Sequence, residues 1–178
     1  MFFRSVRMKS QPTRKRIRLT NYDYSQNGAY FITICTERKQ KLLCSIVGDG
    51  VLDVPEVQLT EYGKIVKDRM DEINVTYHGI QIEKYVIMPN HVHMIVMITG
   101  EINPGGGTSR TPSPTNAAIP RLISTLKRLT NRTIGHNIWQ RSYHDHVIRD
   151  RDDYLKIWNY IDGNPSKWQS DCYYSPEG

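Results

Sequence analysis

An α+β fold of βαββαβ order, with one further helix at its C-terminal end, is what this sequence predicts. Three observations lead there. Two runs rich in β-branched residues, 80–87 and 91–98, are separated only by Met88, Pro89 and Asn90, and turn residues between such runs mark a hairpin. Segments 59–73 and 119–132, one before the hairpin and one after it, repeat apolar residues at helical spacing. Strand-like runs at 29–36 and within 138–148 bracket the whole, and a last helical segment follows them.

Each element has a local reason. Residues 29–36, AYFITICT, are β-branched and aromatic after the turn residue Gly28. A second short strand is expected at 40–44 or at 50–54, with the Gly48-Asp49-Gly50 turn between the two positions. In 59–73 the buried stripe reads Leu59, Tyr62, Ile65, Val66, Met70 and Ile73, and Thr60 can cap it. The hairpin strands are apolar on both faces from their middles onward, as central strands are. Residues 100–118 hold Pro104, Gly105, Gly106, Gly107, Pro112 and Pro114, a composition that cannot pack and reads as a flexible linker within the domain. Helix 119–132 buries Ile119, Leu122, Ile123, Leu126 and Leu129, leaves Arg121, Lys127, Arg128 and Arg132 on its wetter side, and stops at Gly135. Asp150 caps the final helix, which stops before Pro165. The residue before a proline is pushed out of the α region, so Asn164 is expected at the helix end.

The bulk numbers set the class. A chain of 178 residues with 38% hydrophobic and 24% charged residues can bury one core without staples. Cys35, Cys44 and Cys172 have no paired spacing, which argues against a disulfide scaffold or a cysteine zinc knuckle and for a reducing compartment. No apolar run is long enough to span a membrane, so no membrane partner is expected and the cytoplasm is the expected location. The net charge of +6 suits a polyanion. Residues 1–20 form a basic arm with Arg14, Lys15, Arg16 and Arg18, to be read either as a solvated tail or as an arm along a nucleic-acid backbone.

Two patterns carry chemistry. Successive strand residues face opposite ways, so His91 and His93 share a face. They stand beside the turn, where polar side chains can reach solvent. Two neutral imidazoles can hold a divalent ion and leave other positions open, or they are two half-exposed surface histidines. On the final helix, Tyr154, Leu155, Trp158 and Ile161 define the buried stripe, and Tyr160 falls off it with Asn164 on the same flank. A tyrosine beside an amide can act as nucleophile and ligand; the plainer reading is an exposed tyrosine followed by a helix stop.

Three segments occur in order: Tyr85-Val-Ile-Met-Pro-Asn-His-Val-His, Trp139-Gln-Arg-Ser-Tyr-His-Asp-His-Val-Ile-Arg, and Tyr160-Ile-Asp-Gly-Asn-Pro. Together they resemble the REP-associated tyrosine transposases, relatives of the single-tyrosine HUH transposases, over about residues 14–168. The resemblance implies a ferredoxin-like or RRM-like antiparallel sheet in one catalytic domain, 21–170, with the added helix carrying Tyr160 as nucleophile and a short tail at 171–178. His91 and His93 would be the HUH pair and Asn164 the third polar ligand of Mg²⁺ or Mn²⁺. Tyr154, a rival nucleophile, does not match the family position. The implied reaction is cleavage and transfer of single-stranded DNA near the foot of a REP-type hairpin, through a 5′-phosphotyrosine, by a monomer or a homodimer. Lys127, Arg128, Arg141 and the arm are then the expected phosphate contacts. His144 and His146 read as strand packing and hydrogen bonding. The competing expectations are an RRM-like nucleic-acid-binding protein without catalysis, and a hydrolase using His91, His93 and His144 or His146 without the tyrosine.

Overall fold

The computed structural model describes residues 27–48, 55–100 and 118–174. The basic arm, with Arg14, Lys15, Arg16 and Arg18, lies outside the described residues, as does the linker apart from its two ends. The elements are β1 (Gly28–Cys35), β2 (Cys44–Val47), β3 (Glu56–Leu59), α1 (Glu61–Thr76), β4 (Ile80–Met88), β5 (His91–Ile98), α2 (Ala118–Ile134), β6 (His144–Ile148) and α3 (Arg151–Gly163). The four long-range strands form one antiparallel sheet in the order β4-β5-β1-β6. With α1 and α2 in their places this is the ferredoxin-like order, and α3 is the addition.

Both faces of the sheet are covered. On one face Tyr30, Ile32 and Ile34 of β1 and Val92, Met94 and Val96 of β5 pack against Val66, Met70 and Ile73 of α1 and Ile119, Leu122, Ile123 and Leu126 of α2. The opposite face carries a smaller cluster: Ile95, Ile148 and Ile161, with Phe31, Val86, Met97, Tyr154, Ile157 and Trp158 around them. This second layer is what α3 rests on. Two polar contacts pin it further, His146 Nε2 to Asp153 Oδ2 at 2.7 Å and an ion pair between Lys84 and Asp162.

Several local expectations are revised. A short strand lies at Cys44–Val47, sharing only Cys44 with the expected 40–44, and it pairs with the unforeseen Glu56–Leu59 in a separate two-stranded sheet; the alternative at 50–54 lies outside the described residues. Residues 40–43 are drawn off by other backbone bonds, Leu42 N to the Gln40 carbonyl and Leu43 N to the Pro89 carbonyl. Glu56–Leu59 alternates exposed and half-buried residues with only two apolar ones, so its signal is faint. Leu59 therefore ends a strand, and α1 begins after Thr60, whose Oγ1 accepts from Gly63 N at 3.1 Å. On α3, Leu155 is 43% exposed, and Ile157 takes its place against the sheet. On α2, Lys127 turns inward and donates to the carbonyls of Gln140 and Ser142 at 2.7 and 2.9 Å. Burial lowers its pKa to about 8, since those carbonyls only partly replace water. Asn164 stays in the α region, φ −63° and ψ −43°, despite the proline after it. The chain runs straight on into a 3₁₀ turn, Pro165–Ser170, whose first position needs no N–H.

Gly63 is fixed by close approach. A methyl group there would overlap the Leu43 carbonyl oxygen, which is itself held by Thr60. Gly63→Ala should lower stability by about 1–3 kcal/mol in chemical denaturation. Gly163→Ala, where a methyl group meets open space, should leave stability unchanged or raise it.

Candidate metal and tyrosine site

The site forms where β5 begins, beneath α3. His91 and His93 face the α3 side, in register with Cys35 and Thr33 of β1. They were expected near solvent; both are buried, at 0% and 1% exposure. The cover is the chain after α3. It folds back so that the Tyr173 ring lies 4.6 Å from the His91 ring, tilted by 34°, with the Trp168 ring at 5.9 Å.

The outer nitrogens of both imidazoles are held. Asn90 donates through Nδ2 to the carbonyls of Lys39 and Tyr173, which leaves its Oδ1 as acceptor for His91 Nδ1 at 2.8 Å. His91 thus carries its proton on Nδ1 and presents the Nε2 lone pair. His93 Nδ1 lies 2.7 Å from Thr33 Oγ1. The two Nε2 atoms then converge, 3.0 Å apart. This support of the far nitrogen is the arrangement that fixes metal-ligating histidines.

Burial lowers the pKa of both rings. His93 falls to about 4 although Asp171 opposes the shift, and His91 is lowered further because His93 and Lys39 add to desolvation. Both are therefore neutral at pH 7, the form that ligates. The folded pair binds protons more weakly than the unfolded chain, whose histidines titrate near 6.5. Between the two values the unfolded state carries more protons, so stability rises with pH there and is lost as pH falls from about 6.5 towards 4. Denaturation at a series of pH values without metal should show this loss, on the order of 3 kcal/mol at full titration of one ring.

Tyr160 meets the pair, and Asn164 joins it through Asp171. The Tyr160 hydroxyl lies 3.2 Å from His93 Nε2 and donates to Asp171 Oδ2 at 3.3 Å. The residue is 42% exposed, so one side of the phenol is buried against Phe31 and His93 while the other is open. Asn164 is 2% exposed; its Nδ2 donates to Asp171 Oδ2 at 2.8 Å, and its buried Oδ1 has no hydrogen-bond partner among the described residues. Desolvation, followed by the charge of Asp171, raises the Tyr160 pKa well above that of a free phenol. Tyr154 sits in the layer between α3 and the sheet instead.

Asp171 was missed. It falls in the stretch read as a short tail, yet its carboxylate and the His91 and His93 nitrogens all lie within 4.8 Å of one another. A carboxylate seven residues beyond Asn164, followed by two tyrosines, was the available signal. Among the described residues no other histidine, cysteine or carboxylate group of three has such spacing, and neither His144 nor His146 joins it. His146 is engaged with Asp153, and the His144 ring lies 6.3 Å from Tyr173. Two imidazole nitrogens and a carboxylate form a donor set that could hold a divalent metal ion, and the unpartnered Asn164 amide oxygen belongs to a side chain bonded to the same carboxylate. Of the remaining expected contacts, Arg128 and Arg141 are exposed, and Lys127 is engaged internally as described above.

No helix among the described residues is long and apolar enough to cross a membrane. No family model matches the chain. A protein of Haemophilus influenzae, described only as uncharacterized, is 32% identical over 175 residues, 90% of this chain and 93% of the relative. Among solved structures, one described as a REP-associated tyrosine transposase bound to a REP hairpin superposes with a TM-score of 0.58 at 21% identity, covering 85% of this chain and 73% of the other.

Proposed function

We propose that this chain, which belongs to the same family as the Haemophilus influenzae relative and has the fold of the REP-associated tyrosine transposase, is itself a DNA-cleaving and strand-transferring enzyme with Tyr160 as nucleophile. One observation supports this most directly. The hydroxyl of half-exposed Tyr160 stands 3.2 Å from the nitrogen of a buried, neutral histidine pair that is grouped with the Asp171 carboxylate.

His91, His93, Asn164 and Asp171 would hold the metal ion. When bound, it supplies a positive charge that polarises a phosphate oxygen and lowers the pKa of nearby acids. Tyr160 attacks phosphorus from its open side, and Phe31 and His93 hold the ring in direction. The phenolic proton has an acceptor in place in Asp171 Oδ2. The bond formed joins the Tyr160 oxygen to the 5′ phosphate of the downstream strand, the bond broken is P–O3′, and the 3′ oxygen takes up a proton and leaves as a hydroxyl. The linkage keeps the phosphodiester energy, so a second 3′-hydroxyl can rejoin the strand without ATP.

The substrate of this reading is single-stranded DNA beside a hairpin; the transposase of like fold is bound to a REP hairpin. Arg128, Arg141 and the arm with Arg14, Lys15, Arg16 and Arg18 are the proposed phosphate contacts. The test is a denaturing gel of protein mixed with end-labelled hairpin DNA bearing single-stranded flanks and Mn²⁺. A covalent adduct that chelator prevents supports the reading. Cleavage with no protein-linked product, or binding without cleavage in any metal, refutes it.

A further inference from the structure

The turn Glu37–Lys39, which the proposed mechanism does not use, holds unusual backbone. Arg38 and Lys39 have φ of 52° and 57°, the only non-glycine residues in the left-handed region among those described. Side chains disfavour that region, and two in succession persist only where the surroundings hold them there. Here the hold comes from the turn that precedes the histidine strand. Thr36 N donates to the Asn90 carbonyl at 2.9 Å, Asn90 Nδ2 donates to the Lys39 carbonyl at 3.3 Å, and Leu43 N donates to the Pro89 carbonyl at 3.0 Å.

The result is a cation on the rim of the site. The Lys39 ammonium lies 5.5 Å from the centre of the Tyr173 ring, the ring stacked on His91, and donates to the Cys172 carbonyl at 3.3 Å. No carboxylate pairs with it among the described residues. Lys41 follows on the same rim, its ammonium 5.6 Å from the Tyr174 ring. A carbonyl oxygen and a ring face are weak partners for an ammonium, and a phosphate oxygen displaces them readily because it brings a full opposite charge.

We propose that Lys39 is a phosphate-binding residue, taking a non-bridging oxygen of the DNA strand that passes over the His91 side of the site, with Lys41 extending the same strip. The assignment rests on the reading of the site as one for single-stranded DNA. It gives the strained backbone at this position a use: the Lys39 ammonium is held at the Tyr173 ring that stacks on His91. Its rival is a purely structural role, with Lys39 as a clamp on the Cys172 carbonyl.

Counterion release separates the two. Affinity of Lys39→Gln for labelled hairpin DNA with single-stranded flanks is measured across a series of salt concentrations in Mn²⁺. The slope of log affinity against log salt should become shallower than wild type by about one, with Lys39→Arg keeping the wild-type slope. Single-turnover cleavage by Lys39→Gln should fall roughly tenfold or more. A clamp would change stability and rate and leave the slope alone, so an unchanged slope overturns the assignment. If Lys39→Gln does not fold, Lys39→Asn, which tolerates left-handed backbone, takes its place. The failures stay distinct. Loss of the adduct in Tyr160→Phe with a wild-type slope in Lys39→Gln sinks only Lys39. A wild-type protein that binds no such DNA at any salt sinks both.

Discussion

Tyr160→Phe should form no covalent adduct with DNA and should cleave at least about 10³-fold more slowly than wild type, while its affinity for the same DNA should change little. The size follows from chemistry. Phenylalanine keeps the ring and its contacts with Phe31 and His93 and removes only the oxygen that would bond to phosphorus. Tyr154 does not stand ready to replace it, since it belongs to the packing between α3 and the sheet. The lost hydroxyl contacts both His93 and Asp171, so the variant should also bind metal slightly differently. A single-turnover assay read on a denaturing gel, with affinity measured in parallel, decides it. Undiminished cleavage in Tyr160→Phe would remove tyrosine from the mechanism and return attention to a water nucleophile.

The second large effect is on the metal. Replacing His91 and His93 together by Ala should abolish Mn²⁺ binding in calorimetry and, with it, cleavage. What remains, Asn164 and Asp171, is one amide oxygen and one carboxylate that is itself bonded to Asn164 and Tyr160. Wild type should gain about 2.7 kcal/mol of stability at a metal concentration of a hundred times Kd, and the double variant none. A further signature comes without metal. The wild-type pair stays neutral by desolvation and loses stability as pH falls through 6.5 towards 4; the double variant should lack that loss. Retained metal binding in the double variant would place the cation elsewhere.

How much of this was legible in the sequence depends on range. The β4-β5 hairpin, the two helices of the main core and the α3 cap could be read because their signals are local: periodicity, Pro89-Asn90, Thr60 and Asp150. Strands β2 and β3 could not, since half of each faces water and their pairing is fixed by neighbours, not by pattern. Tyr160 and Asn164 were visible as a flank; in the structure the Tyr160 hydroxyl contacts His93, and Asn164 joins the group through its bond to Asp171. The exposure of the histidines was misjudged because their cover comes from about 80 residues downstream, a distance no strand pattern encodes. Asp171 escaped for the same reason. Lys127 was placed with the phosphate contacts by helical spacing alone, and spacing does not see the carbonyls of Gln140 and Ser142 that draw it inward.

The two unequal faces of the sheet also set an order of cooperativity. One layer, with β5, α1 and α2, holds most of the buried apolar side chains; α3 sits on the other layer with Ile161 as its only fully buried residue. Energy of opening scales with what is buried, so α3 is the element that can detach while the rest stays folded. Such a partly opened molecule keeps both histidines on their strand and loses the tyrosine and the amide at once. The site is thus an all-or-none property of a weakly held unit, and a bound cation that bridges strand and helix would tie that unit's stability to the core's.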